Sequence, residues 1–190
     1  MLNDLRAPTG LNSIKMNDAL DILLADDNLD DVFLLQQAFR KADVKHRLKA
    51  VNDGREAVAY LKGEGQYGDR ETHPFPRVLL LDLNMPKMNG FELLKWIRQS
   101  PECNRLTVHV LTASARETDV EMAHYFRANS FIVKPTRLAD LVAFVKALDQ
   151  WHRFTSLPQT PIPERRETGQ PQPSGGPVRL TADSRPGIYE

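Results

Sequence analysis

Between residues 18 and 154, short apolar runs alternate with longer stretches whose apolar positions recur every three or four residues. The short runs are 21–25 (DILLA), 77–81 (RVLLL), 106–112 and 129–133, with an alternating one at 46–51 that turns Leu48 and Ala50 or Val51 inward. Each reads as a strand. The longer stretches are 30–42, 53–62, 89–99, 116–128 and 137–152, and they read as helices. In 30–42, Val32, Phe33, Leu35, Ala38 and Phe39 share the apolar side. The stretch 89–99 is stopped by Pro101. Strands and helices in strict alternation predict a parallel sheet covered on both faces, a doubly wound α/β domain. In such sheets the working site lies at the carboxyl ends of the strands.

Those ends carry chemistry. The first strand runs into Asp26-Asp27, the third into Asp82, the fourth into Thr112 and the fifth into Lys134-Pro135. Right-handed crossovers bring all of these to one edge. Clustered carboxylates repel one another unless a cation neutralises them. All-oxygen ligands with room for water suit a hard divalent ion such as Mg²⁺. An oxygen nucleophile beside such an ion and an ammonium is suited to phosphoryl transfer. A single Asp after a strand is commonly only a helix cap. Here the residue types recur at four of five strand ends.

These segments resemble the receiver domains of two-component response regulators. The resemblance rests on ILLADDN (22–28), LLLDLNMPKMNG (79–90), VLTA (110–113) and SFIVKP (130–135), and it spans nearly all of 18–154. It implies a five-stranded, flavodoxin-like (βα)5 fold with strand order 2-1-3-4-5. It implies that Asp82 accepts the phosphoryl group from a histidine kinase. Asp27, Asp82 and the backbone carbonyl of Asn84 would bind Mg²⁺, with Asp26 reaching it through water. Thr112 and Lys134 would meet the phosphoryl oxygens. Thr112 and Phe131 would form the switch. Phe131 lacks the hydroxyl of the Tyr often found there. Their movement would alter a face made by the fourth helix, fifth strand and fifth helix. Gly90 is expected to supply a backbone angle that other residues resist.

Other signals are weaker. GEGQYG (63–68) formally matches G-x-G-x-x-G, but a helix precedes it and a polar run follows, so a long mobile loop is expected there. Phosphatases with a nucleophilic Asp need a second Asp two residues later, and position 84 is Asn. The five histidines lack metal-ligand spacing, and Cys103 has no partner for a disulfide. A receiver kept only as a silent interaction module is disfavoured by the presence of Asp27, Asp82, Thr112 and Lys134.

Composition divides the chain. Residues 155–190 hold seven of the 13 prolines and four of the ten glycines, with Tyr189 as their one aromatic, so a disordered tail is expected. Residues 1–17 are polar and aperiodic and read as a flexible leader. The 25 basic and 25 acidic residues cancel, against a role in coating nucleic acid or an anionic membrane. No apolar run approaches the ~18 residues of a membrane span. A cytoplasmic protein without a DNA-reading domain is expected, its output a protein contact or an onward phosphate transfer. On the last helix, Phe144, Trp151 and Phe154 extend apolar surface beyond the inward face of Leu138, Leu141, Val142, Val145 and Leu148, as edge packing or as a homodimer surface. DDNLDD (26–31), the loop at 63–77 and the aromatic helix end resemble single-domain regulators of phytochrome-type histidine kinases. Asp30 and Asp31 also suit the positive end of a helix dipole.

Overall fold

The computed structural model describes residues 19–155. The leader lies outside that range, as does the tail beyond Thr155. Five strands run β1 (Asp21–Ala25), β2 (Arg47–Val51), β3 (Val78–Leu81), β4 (Thr107–Thr112) and β5 (Ser130–Val133). The helices between and after them are α1 (Leu29–Ala42), α2 (Gly54–Lys62), α3 (Gly90–Gln99), α4 (Glu117–Tyr125) and α5 (Leu138–Phe154). The sheet is wholly parallel, in the order β2-β1-β3-β4-β5. The doubly wound fold expected from the alternation, and the flavodoxin-like strand order implied by the resemblance, are therefore present.

Strand side chains alternate between two cores. Leu23, Ala25, Val51, Leu79, Leu81 and Val108 pack with Ala57 and Leu61 of α2 and Leu93, Leu94 and Ile97 of α3. Ile22, Leu24, Val78, Leu80 and Leu111 pack on the other face with Val32, Leu35, Ala38 and Phe39 of α1 and Leu141, Val145 and Leu148 of α5. A smaller group of Leu83, Val110 and Ala123 seats α4. The central strands β3 and β4 are buried throughout; β3 accordingly reads as an unbroken apolar run, while β4 also buries Thr107, His109 and Thr112. β5 is an edge strand and only half-buried.

Helix ends are fixed by local chemistry. The Asn28 side chain caps α1, accepting from the backbone N–H groups of Asp30 and Asp31. Asn89 and Glu92 form a reciprocal capping box on α3. α4 stops at Tyr125, short of the expected residue 128. There Arg127 takes a left-handed φ of 60°, and the Ala128 N–H bonds back to the Ala123 carbonyl. The segment after α2, expected to be a mobile loop, contains a 3-10 turn at Gly65–Tyr67. Tyr67 is buried there and packs against Tyr60 and His73. Arg70 donates to the carbonyls of Tyr60, Leu61 and His73. No helix of the described residues is long and apolar enough to cross a membrane.

Candidate functional site

Ladder hydrogen bonds run one residue beyond the strands, and those extra residues carry the chemistry. The Asp26 N–H donates to the Val51 carbonyl at 3.0 Å, and the Asp82 N–H to the Ala25 carbonyl at 2.9 Å. The Lys134 N–H donates to the Thr112 carbonyl at 2.7 Å. Asp26, Asp82 and Lys134 are thus fixed by the sheet itself rather than by mobile loops.

The side chains of Asp26, Asp27 and Asp82 each offer an oxygen, and these oxygens lie within 4.8 Å of one another. Asp26 and Asp82 are buried, whereas Asp27 opens to solvent. Three hard oxygen donors with one open side fit a Mg²⁺ ion that keeps some of its water. Asn84, whose carbonyl was expected to join them, is exposed on the loop after β3.

Lys134 supplies the counter-charge. Its Nζ lies 2.7 Å from Asp26 Oδ2, 2.9 Å from Asp31 Oδ2 and 3.7 Å from Asp82 Oδ2. Burial works against its charge, but the hydrogen bonds it donates to Asp26 and Asp31 outweigh that and hold its pKa above the ordinary lysine range. Burial also raises the Asp26 pKa, partly offset by the Lys134 ammonium. Asp31 was legible in the sequence only as a residue suited to the helix dipole. Its contact with Lys134 spans 103 positions and leaves no local signal.

Thr112 is fully buried at the end of β4, and its Oγ1 accepts from the Ser114 N–H at 3.4 Å. Ala113 beside it is exposed, so no bulky side chain closes that approach. Phe131 is half-buried against the Leu83, Val110 and Ala123 group. A pocket of about 180 Å³ adjoins Lys134, lined in part by Asp26, Asp31, Ala113 and Pro135.

The turn after Asp82 departs from expectation. Gly90 has no positive φ; Lys87 does, at 62°. Gly90 is needed instead for close approach, since a Cβ there would lie 2.3 Å from the Asp82 carbonyl oxygen. Lys87 sits in a γ-turn closed by the Met88 N–H on the Pro86 carbonyl. Its ammonium reaches Asp53, the cap of α2, at 2.6 Å. That ion pair ties the turn to a neighbouring helix and helps hold its strained backbone.

On α5, Phe144 is half-buried and packs against the α1-side core. Trp151 is 41% and Phe154 85% exposed. Trp151 meets His109 edge-on at 5.4 Å. Met122 and Tyr125 of α4 and Val133 of β5 are further exposed apolar side chains.

A parallel sheet in this order, with acidic, hydroxyl and lysine groups converging at its carboxyl edge, defines a receiver module. Residues 22–146 match the response regulator receiver domain family, and the chain belongs to it. It is 36% identical over 138 residues to the response regulator Rcp1 of a Synechocystis strain, covering 72% of this chain and 92% of that protein. Among solved structures, the phosphorylated cyanobacterial phytochrome response regulator RcpA aligns with a TM-score of 0.68 at 36% identity. That alignment covers 75% of this chain and all of RcpA. The Mn²⁺-bound form of Rcp1 aligns with a TM-score of 0.64 at 35% identity, over 74% of this chain and 99% of that one. Receiver domains bind Mg²⁺ at an acidic pocket of aspartates, and this chain has such a pocket. Response regulators are generally not turnover enzymes.

Proposed function

We propose that this chain is a stand-alone response regulator whose Asp82 accepts a phosphoryl group from a sensor histidine kinase in a Mg²⁺-dependent reaction. The observation that carries the reading is the Lys134 ammonium set between buried Asp26 and Asp82, with Thr112 at the neighbouring strand end. A carboxylate oxygen of Asp82 attacks the phosphorus of the phosphohistidine. The P–N bond breaks as the O–P bond forms, and the imidazole leaves with the bonding pair and takes a proton from solvent. Asp27, Asp82 and the Asn84 carbonyl would hold the ion, with Asp26 reaching it through water. When bound, the ion draws charge from the phosphoryl oxygens and relieves repulsion among the carboxylates. Lys134 pairs with one phosphoryl oxygen and the Thr112 hydroxyl donates to another.

Movement of Thr112 toward those oxygens frees space for Phe131 to turn further inward. The face of α4, β5 and α5 then changes its affinity for a partner. Exposed Trp151 and Phe154 fit a homodimer contact on that face. The kinase is of the phytochrome type, a reading supported by the likeness to RcpA. The domain occupies residues 18–154, works in the cytoplasm, and is neither a turnover enzyme nor a nucleic-acid or membrane binder.

The test is labelling by acetyl phosphate with Mg²⁺. Asp82→Asn is expected to abolish it, and labelling that survives at another residue would overturn the assignment. Sedimentation of Phe154→Asp against wild type tests the dimer, and a wild-type monomer both with and without phosphorylation would remove it.

A further inference from the structure

Asp31 lies in the first turn of α1, where its backbone N–H donates to Asn28 Oδ1 at 3.3 Å. The helix cap therefore sets its position. Its carboxylate accepts from Lys134 Nζ at 2.9 Å. Lys134 Nζ lies 2.7 Å from Asp26 Oδ2, within hydrogen-bond reach, while Asp82 Oδ2 at 3.7 Å lies outside it. An ammonium has three N–H bonds, and two are committed to Asp26 and Asp31. Lys134 is 11% exposed at its side chain, so water does not replace those partners freely. Asp31 at 35% exposure can regain water when released. Asp31 is not among the carboxylates that share the cation position.

We propose that Asp31 is a positioning residue that holds the Lys134 ammonium back from Asp82 until Asp82 is phosphorylated. This rests on Asp82 being the phosphoacceptor. A phosphoryl group brings close to two negative charges and three strong acceptor oxygens beside Nζ. Lys134 then exchanges Asp31 for a phosphoryl oxygen, and the partly exposed Asp31 carboxylate returns to water. Until that exchange, Asp31 offsets part of the ammonium's positive field at Asp82.

Asp31→Asn removes one negative charge with little change of shape. Lys134 keeps Asp26 as its one hydrogen-bonded carboxylate, with at most a neutral amide oxygen at position 31, and its field at Asp82 and at the cation position strengthens. Mg²⁺ binding should weaken and labelling by anionic acetyl phosphate should accelerate, each by about threefold to tenfold for one unit charge in a partly solvated site. The comparison uses the full chain as wild type, Asp31→Asn and Asp30→Asn. Asp30 is an exposed neighbour on the same turn, so its variant carries the same change in net charge. Nitrogen-15 spectra of the lysine ammonium groups in metal-free protein read the tether directly. The Lys134 signal should be sharp in wild type and in Asp30→Asn, and shifted or lost to exchange in Asp31→Asn. A Lys134 signal and a Mg²⁺ affinity equal in the two variants would overturn the proposal. Absence of labelling in all three proteins would overturn the phosphoacceptor reading instead, and the ammonium spectra would still decide whether Asp31 tethers Lys134.

Discussion

Gly90→Ala should loosen the site from beneath. A methyl group there would stand 2.3 Å from the Asp82 carbonyl oxygen and 2.7 Å from Leu83 Cα. Both are main-chain atoms, so no rotamer change relieves the clash. Reaching an ordinary contact requires a retreat of roughly 1 Å. The Gly90 N–H bonds to the Leu83 carbonyl at 3.0 Å, and the Asp82 N–H is tied to Ala25. Retreat therefore strains one hydrogen bond or the other. Overpacking of this kind costs about 1–3 kcal/mol, and a weakened hydrogen bond about 1 kcal/mol more. The helix-favouring gain of Ala over Gly returns less than about 1 kcal/mol. A net loss of about 2–3 kcal/mol should follow, which is roughly 6–10 °C in Tm for a domain of this size. Urea unfolding followed by tryptophan fluorescence measures it, with an unchanged m-value expected. Gly65→Ala is the comparison. Gly65 also resists a side chain, through its φ of 59°, but nothing lies within 4 Å of the added methyl. It should lose only about 1–2 kcal/mol. A Gly90→Ala protein as stable as wild type, or no less stable than Gly65→Ala, would refute the close-approach reading.

Two further outcomes concern buried titratable groups. Burial lowers the His109 pKa to about 4 from an ordinary 6.5, and its Nε2 has no hydrogen-bond partner. The unfolded chain therefore binds the proton first. His109 contributes stability that is fully present above about pH 6.5 and is lost as pH falls toward 4, about 3 kcal/mol in all. His109→Leu should remove that part of the pH dependence, read from urea midpoints between pH 4 and 7, and an unchanged slope would refute it. Cys103 is buried and its thiol is pushed up to about 11, chiefly by burial. At pH 8 it should react with an aromatic disulfide only as the fold opens, so stoichiometric labelling within seconds in the absence of urea would contradict its burial.

Much of this protein could be read along the chain because its signals are local. An apolar run followed by an acidic pair, as at 22–27, carries both a strand and what stands at its end. Strand periodicity then told which face each side chain takes, as with Leu23 against Leu24. The receiver motifs single out Asp82, Thr112 and Lys134, and β3, β4 and β5 end at or just before those residues. Other features depended on chain segments that meet only after folding. Asp31 looks like an ordinary first-turn acid, and only the packing of α1 with α5 on one face of the sheet brings it to Lys134. Gly90 suggests an unusual backbone angle, yet the strained angle belongs to Lys87, held by Asp53 from another element. The segment after α2 has a loop's composition, and Tyr67 and Arg70 give it structure through partners on α2. Hydrophobic pattern fixes the layers because burial acts on each residue through its own side chain. Charge pairing and steric contact act between residues, so their partners are decided by the tertiary fold.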